Sequence, residues 1–259
     1  MTPDGSLLDL ARRLADASGA VIRRHFRTGI DADDKADQSP VTVADREAES
    51  VMRALIAEHA PGHGIIGEEF GQENDGAELV WVLDPIDGTK AFITGKPIFG
   101  TLIALMEQGK PVLGIIDQPI VGDRWIGAAG QPTTLNGKPA RVRVCPGLGQ
   151  ARISTTGPQY FDDARRGAFE RVAAQAKLLS YGGDCYQYGL VASGSIDVVI
   201  ESGLKLHDFA ALVPVIEGAG GLMTDWRGRP LDAASAGDVV AAGDARVHAE
   251  VLAVLGEWG

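Results

Sequence analysis

The sequence predicts an α+β fold: two long N-terminal helices with an antiparallel sheet, followed by a smaller, mixed sheet flanked by helices. Apolar residues recur at helical spacing over most of the first 60 positions, and short β-type runs bounded by turn residues fill positions 64–127. From about residue 150 strands and helices alternate, which is typical of a sheet with helices packed on it. The 259 residues, of which 45% are apolar, suffice for one large domain or two modest ones.

Two helices precede the first strand. The apolar positions from Leu7 to Val21 predict a helix that is capped at Ser6 and whose pattern Gly29 ends. A second helix is predicted from Ala44 to His59, and the polar segment DADDKADQSPVT connects the two.

Closely spaced strands are predicted next, and their spacing favours an antiparallel sheet. The runs are GIIG (64–67), VWVL (80–83), GTLIAL (100–105), VLGIID (112–117) and RWIG (124–127), with hairpin turns at 107–110 and 135–138.

The second half alternates between the two kinds of structure. Strands are predicted in ARIST, DVVIES, GLMTDW and VVAAG, and helices over 161–176, near 186–193, over 207–219 and from Ala245. The segment CPGLG at 145–149 is predicted to separate an N-terminal domain, 1–147, from a C-terminal domain, 148–259.

Charge and cysteine content restrict the class of function. A net charge of −11 argues against a nucleic-acid partner, because such binding depends on lysine and arginine. Cys145 and Cys185 form neither a CxxC pair nor a larger framework, so a disulfide scaffold or thiolate zinc site is not expected. The N-terminus lacks a secretory apolar segment, and no run approaches the roughly 20 apolar residues that span a bilayer. We therefore expect a cytoplasmic protein without a membrane partner.

The segment WVLDPIDGT at 81–89 places two carboxylates at the end of a buried strand. Pro85 cannot continue the strand ladder and Gly88 permits close backbone approach, so Asp84 and Asp87 are expected to project from a tight turn into a helix. A helix that begins near Thr89 would direct free N–H groups to the same place, where they suit a phosphate. The structural alternative is that Asp84 ends a strand and Asp87 caps a helix.

Other acids occupy comparable positions. Glu68 follows the run GIIG, and Asp45 and Asp208 stand at helix starts. If these groups converge, like charges about 4 Å apart repel by roughly 4 kcal/mol per pair at an effective dielectric near 20, so they would stay ionised together only around a metal. Oxygen ligands favour Mg²⁺, with Mn²⁺ as a substitute, and the combination indicates metal-assisted phosphoryl transfer to water.

Three motifs carry a family resemblance over nearly the whole chain. They are GEE at 67–69, DPIDGT at 84–89 and Asp208 within HDFAA. In this order they resemble the inositol monophosphatase superfamily of Mg²⁺-dependent, Li⁺-sensitive phosphatases. The resemblance implies an α-β-α-β-α layered sandwich with the site between the two sheets, a small phosphorylated metabolite as substrate, and a homodimer.

The resemblance also implies a set of metal ligands for two or three Mg²⁺ ions. They are Glu68, Asp84 and the Ile86 carbonyl for the first ion, Asp84, Asp87 and Asp208 for the second, and Asp45 for a third, weaker one.

Catalytic roles are implied for Glu68, Asp45 and Thr89, the last two orienting and deprotonating a metal-bound water. Asp87 and the amides of Gly88 and Thr89 are implied to hold the phosphate. The sequence departs from the family pattern immediately before Asp208, where a histidine stands in place of the usual tryptophan.

The substrate is predicted from other segments. TGKPIFGTLIAL (94–105), GIIDQPIVGDRWIG (114–127) and YGGDCYQYGLVASG (181–194) resemble the histidinol-phosphate phosphatase branch of the family. Asp184 stands where inositol enzymes have a small apolar residue, and Glu201 matches the acid that contacts the leaving group. Histidinol carries an ammonium and an imidazole, so a second acid would favour it by about 1.5–3 kcal/mol.

Several alternatives remain open at this stage. Asp184 is otherwise a turn residue after two glycines, and the ester is otherwise inositol 1-phosphate or a broad range of sugar and nucleotide phosphates. A non-enzymatic relative that binds metal or phosphate for regulation is the remaining alternative. Lys35 either reaches the metal-site waters electrostatically or is a plain surface lysine.

Overall fold

The computed structural model describes residues 2–29, 32–34 and 40–256, so Lys35 lies outside the described part. The helices are α1 (Gly5–His25), α2 (Val43–His59), α3 (Thr89–Ile93), α4 (Asp163–Ala173), α5 (Asp184–Ala192), α6 (Leu206–Phe209), α7 (Leu212–Gly218) and α8 (Ala245–Leu255). The N-terminal strands are β1 (Ala32–Asp34), β2 (Pro40–Thr42), β3 (Gly64–Gly67), β4 (Gly71–Glu73), β5 (Leu79–Asp87), β6 (Gly100–Glu107), β7 (Lys110–Gln118), β8 (Asp123–Ala128), β9 (Gln131–Leu135) and β10 (Lys138–Pro139). The C-terminal strands are β11 (Arg152–Thr155), β12 (Leu178–Tyr181), β13 (Val198–Glu201), β14 (Leu222–Thr224) and β15 (Val239–Ala242).

The larger sheet has eight strands in the order β10-β9-β8-β7-β6-β5-β3-β4. Both predicted hairpin turns are confirmed, and their central residues, Gln108-Gly109 and Asn136-Gly137, have the positive φ that a tight hairpin requires. The expectation of a purely antiparallel sheet is wrong at one pair, because β3 and β5 are parallel. Strand β4 returns antiparallel along the outer edge of β3, and the chain then crosses to the other side of β3 to start β5.

The smaller sheet has five strands in the order β12-β11-β13-β15-β14. Strand β11 pairs parallel with both of its neighbours, whereas β15 pairs antiparallel with β13 and β14, so the predicted mixed sheet is confirmed. The polar connector between α1 and α2 contains the short antiparallel pair β1 and β2, which the sequence did not predict.

Alternating side chains of the central strands explain the layers. Trp81 and Leu83 of β5 pack against α1 and α2. Val80 and Val82 point to the opposite face and pack with α5 and α7. Val199 of β13 closes the other side of this middle helix layer, and its neighbours in the strand face α4 and α8. The order helix, sheet, helix, sheet, helix confirms the α-β-α-β-α sandwich.

Helix boundaries differ from the predictions at three places. Asp4, not Ser6, caps α1, since its Oδ1 accepts a hydrogen bond from the Leu7 amide at 3.0 Å, and the helix ends at His25. The segment predicted as one helix over 207–219 is two, because Pro214 has no N–H to continue the ladder from α6 into α7. Helix α5 begins at Asp184, two residues before the predicted start.

Two further predictions concern the chain as a whole. The larger sheet is built from residues before 147 and the smaller one from residues after it. The division into domains 1–147 and 148–259 stays a prediction. Within the described ranges, none of the helices combines the length and apolar character needed to cross a bilayer.

Candidate active site

The acids of the DPIDGT segment lie on a bulged strand end. The sequence predicts that strand β5 stops before Pro85, but the strand continues to Asp87. Its register with β6 shifts between Asp84 and Asp87. The bulge accommodates Pro85, because its missing N–H falls where the ladder is interrupted. The Pro85 carbonyl instead accepts a hydrogen bond from the Thr101 hydroxyl at 2.8 Å.

Three carboxylates converge at this bulge. One oxygen each from Asp84, Asp87 and Asp208 lies within 4.8 Å of the others. Asp208 reaches the cluster from the first turn of α6, where its Oδ2 accepts a hydrogen bond from the Lys205 amide at 2.6 Å. This is the triad that the resemblance implies for the second metal ion.

The electrostatics of the triad fit a bound cation. Burial, followed by the charges of Glu68, Asp87 and Asp208, holds the pKa of Asp84 well above its usual range. Burial raises the pKa of Asp87 and Asp208 as well. The Oδ1 atom of Asp84 is buried and accepts no hydrogen bond from any residue that the structure describes. A hard cation satisfies such an oxygen and neutralises the repulsion, so the residues fit a metal ion.

Asp45 and Thr89 form a second hydrogen-bonded group beside the triad. Asp45 Oδ2 accepts from the Thr42 amide at 2.8 Å, a bond of the capping box of α2, and from the Thr42 hydroxyl at 2.6 Å. Its Oδ1 lies 3.4 Å from the Thr89 hydroxyl, which is also 3.1 Å from the Ile86 carbonyl. Burial raises the pKa of Asp45, and the charge of Glu68 adds to that rise. Asp45 therefore serves as a helix cap and also faces the predicted site.

Gly88 allows two parts of the site to meet. Its φ of 90° and ψ of 40° lie in the left-handed region that favours glycine, and α3 begins at the next residue as predicted. A Cβ atom at this position would stand 2.7 Å from Asp184 Oδ2. The absence of a side chain at Gly88 therefore lets the Asp184 carboxylate pack directly against the DPIDGT turn.

Helix α5 brings Asp184 to the triad. The amide of Cys185 donates a hydrogen bond to Asp87 Oδ2, and Asp184 itself has a φ of 41°. Burial, then the charge of Glu201, raises the pKa of Asp184 to about 7, while Lys90 opposes the rise.

Glu201 ends β13 as a buried carboxylate with three hydrogen-bond donors. Its Oε1 accepts from the Thr156 amide at 2.9 Å and the Gln187 side-chain amide at 3.0 Å, and its Oε2 accepts from the Tyr188 hydroxyl at 2.8 Å. Burial raises the pKa of Glu201, and these three donors oppose the rise.

A cavity of about 380 Å³ connects these groups. Most of the predicted site residues line it, namely Glu68, Asp87, Gly88, Thr89, Asp184, Glu201 and Asp208. Asp45, Asp84 and Ile86 lie directly behind this lining through the contacts described above. The structure thus brings all ten predicted site residues to one place.

Some lining residues were missed by sequence reasoning. Lys90, which immediately follows Thr89, donates a hydrogen bond to the Tyr160 hydroxyl at 3.0 Å, and Tyr188 lies four positions after Asp184 on α5. A helix start at Asp184 would have identified Tyr188, because positions i and i+4 share a helix face. His207, which replaces the usual tryptophan, places Nε2 3.5 Å from Asp208 Oδ1 and also lines the cavity.

Comparison with known proteins agrees with this fold and site. Residues 5–257 match the sequence model of the inositol monophosphatase family. The bifunctional phosphatase IMPL2, chloroplastic, of Arabidopsis thaliana is 54% identical over 254 residues, which are 95% of this chain and 73% of that protein. A histidinol-phosphatase of Chlorobaculum parvum is 36% identical over 231 residues, 88% of each chain. The solved structure of an inositol monophosphatase from Zymomonas mobilis aligns with 98% of this chain and 100% of its own, with a TM-score of 0.90 and 48% identity.

The layered fold and the acid cluster at the bulged strand end agree with the phosphatase class that the resemblance implied. The chain belongs to the inositol monophosphatase family. Members of this family hydrolyse phosphomonoesters, and this protein is accordingly a phosphoric monoester hydrolase whose acid cluster can hold a metal ion.

Proposed function

We propose that the protein hydrolyses L-histidinol phosphate to L-histidinol and inorganic phosphate, a step of histidine biosynthesis, with Mg²⁺ as cofactor and Mn²⁺ as a substitute. The observation that carries the proposal is the second acidic pair, Asp184 and Glu201, which lines the same cavity as Asp87 and Asp208 of the triad. Histidinol is cationic and inositol is neutral. Two buried carboxylates beyond the metal ligands therefore suit the former as leaving group.

The metal ligands follow from the acid cluster. Asp84, Asp87 and Asp208, together with Glu68 and the Ile86 carbonyl, would hold two cations, and Asp45 a third, weaker one. When bound, a divalent cation neutralises phosphate charge and lowers the pKa of an attacking water.

The chain's own groups bind the phosphate and move the proton. The amides of Gly88 and Thr89 would hold the phosphate, and the Asp87 carboxylate would contact it through a bound cation. The Thr89 hydroxyl accepts the proton of that water and passes its own to Asp45, whose Oδ1 lies 3.4 Å away. Burial raises the pKa of Asp45, which makes it a stronger base. Glu68 would take part in the reaction as a ligand of the first cation. Water attack forms a new P–O bond as the ester P–O bond breaks. The leaving alkoxide takes up a proton from solvent and departs as the alcohol, and Asp45 returns its proton to solvent.

Substrate preference tests the proposal. Wild type and Asp184→Ala are compared on L-histidinol phosphate and inositol 1-phosphate. Wild type should prefer the histidinol ester, and the variant should lose roughly 10- to 100-fold of that preference, the value of a charge-assisted hydrogen bond. Equal turnover of both esters by wild type would refute the histidinol assignment.

A second candidate substrate is inositol 1-phosphate, or a broad set of sugar and nucleotide phosphates. It is favoured by the similarity to the Zymomonas mobilis inositol monophosphatase, at 48% identity. A regulatory protein that binds metal or phosphate without turnover is a non-enzymatic alternative. Phosphate release with Mg²⁺, measured against an EDTA control, separates turnover from binding alone.

We also propose a cytoplasmic homodimer. Both cysteines are buried free thiols, as suits a reducing compartment. Cell fractionation and light scattering of the purified protein test the two parts of this proposal separately.

A further inference from the structure

The Glu201 carboxylate is held by donors on two separate elements. Gln187 and Tyr188 are consecutive residues of α5, and their side chains reach the two different oxygens of Glu201. Thr156, which follows β11, supplies the third donor through its amide. The indole of Trp226 fixes the backbone of the same residue, since its Nε1 lies 3.1 Å from the Glu201 carbonyl. Rotation of the carboxylate would break at least one of these bonds.

The orientation of the Gln187 amide supports a dedicated role. Its Nε2 lies 3.0 Å from Glu201 Oε1 and 3.1 Å from Thr156 Oγ1, so it donates to both. Its Oε1 is buried and has no hydrogen-bond partner within residues 40–256 or the other described ranges. The reverse orientation would place the amide oxygen against the carboxylate, where the two would repel. The Gln187 amide therefore donates to Glu201 although its own oxygen has no hydrogen-bond partner among the described residues.

Burial of the Tyr188 ring keeps its hydroxyl on the Glu201 carboxylate. Its ring belongs to the core between the two sheets and is 1% exposed, so the hydroxyl has little freedom to move. It lies on the same face of α5 as Asp184, one turn further along. The helix thus carries one selecting acid, Asp184, and two donors to the other, Glu201.

We propose that Tyr188, together with Gln187, is a positioning residue that holds the Glu201 carboxylate toward the alcohol part of the substrate and thereby sets ester preference. The inference rests on the proposed function for the place of Glu201 at the alcohol end of the substrate and for the identity of the preferred ester. The triad that serves the phosphate end accepts no hydrogen bond from Tyr188 or Gln187. Loss of either donor should therefore raise KM and change kcat little.

Tyr188→Phe removes one donor, and Tyr186→Phe is the matched control. Tyr186 lies on the same helix and also donates to a carboxylate, Asp123 at 2.7 Å, but it does not line the cavity. The Tyr188 variant should raise KM for L-histidinol phosphate about 10-fold, the loss expected for a hydrogen bond to a charged group, with kcat within about twofold. The Tyr186 variant should leave both constants within about twofold. A fall in kcat with an unchanged KM, or equal effects of the two variants, would overturn the proposal.

A double-mutant cycle tests whether Tyr188 acts through Glu201. In a Glu201→Gln background, Tyr188→Phe should change KM by less than about twofold, because the charge that it positions is gone. A full additive effect would overturn the proposal. Gln187→Met must show the same coupling, and it replaces Tyr188→Phe if that variant does not fold. If wild type turns over inositol 1-phosphate equally well, the proposed function fails, but coupling measured on either ester still decides this inference.

Discussion

Asp184→Asn is expected to stabilise the metal-free protein at alkaline pH while it weakens preference for a cationic alcohol. Burial and the charge of Glu201 raise the pKa of Asp184 from 3.8 to about 7. Between these values the unfolded chain has lost the proton that the folded protein still holds. The contribution of Asp184 to the free energy of unfolding is therefore most favourable below about pH 4. It is lost as the pH rises toward 7, because the unfolded state ionises first.

The size of the effect follows from the shift. A rise of about three pKa units corresponds to about 4 kcal/mol of lost stability above pH 7, as an upper bound. The charge of Glu201 contributes to this shift, and Glu201 remains buried after the substitution, so part of the cost is not recovered. We expect a gain of about 2 kcal/mol, which raises the melting temperature by about 4–8 °C for a protein of this size.

Thermal unfolding in EDTA at pH 4, 6 and 8 measures this gain. Asparagine keeps the shape of the side chain and tolerates the φ of 41° at this position. Asp225→Asn is the control with the opposite sign. Burial would raise the pKa of Asp225, but hydrogen bonds from Arg229 and from the Arg227 amide together with the Arg229 charge outweigh it and lower that pKa. That variant should lose stability at pH 8. The reasoning fails if Asp184→Asn is no more stable than wild type at pH 8, or if its advantage is the same at pH 4.

Three further predictions concern the phosphate end of the site. Asp87→Asn should lower phosphate release at least about 100-fold in a protein that circular dichroism shows to be folded, and near-normal activity would contradict its place in the triad. Gly88→Ala should lower kcat/KM about 100-fold, because its Cβ would stand 2.7 Å from Asp184 Oδ2 at a φ of 90°; unchanged kinetics would refute this geometry. Mg²⁺ at about 100 times its Kd should add about 2.7 kcal/mol and raise the melting temperature by about 5–10 °C, and a shift that does not saturate would indicate non-specific binding.

Local chemistry explains what could be predicted from the sequence. The turns at Gln108-Gly109 and Asn136-Gly137 could be predicted, because few residue types adopt a positive φ at two adjacent positions. The acids of the triad were singled out because they stand next to expected strand and helix boundaries, although Asp84 and Asp87 lie within β5 and Asp208 within α6. Their convergence was inferred from charge repulsion and from the family resemblance, which named the same three residues that the structure groups within 4.8 Å.

The errors arise where tertiary structure decides. Strand β5 continues through Pro85 because a bulge removes the need for its N–H, and no local signal distinguishes that bulge from a strand end. The parallel pairing of β3 with β5 depends on the three-residue strand β4, which is exposed and carries no apolar pattern. The sequence analysis missed Gln187 and Tyr188, because what their side chains do depends on a tertiary contact. Both donate to Glu201, which lies on strand β13.

Helix α5 links the two acidic groups of the cavity. At its start the Cys185 amide donates to Asp87 of the triad, and one turn later Gln187 and Tyr188 donate to Glu201. A shift of this helix would therefore move the phosphate end and the alcohol end of the site together. On the roles proposed above, we expect substitutions of Gln187 or Tyr188 to alter which alcohol is accepted, because these side chains donate to Glu201 and not to the triad.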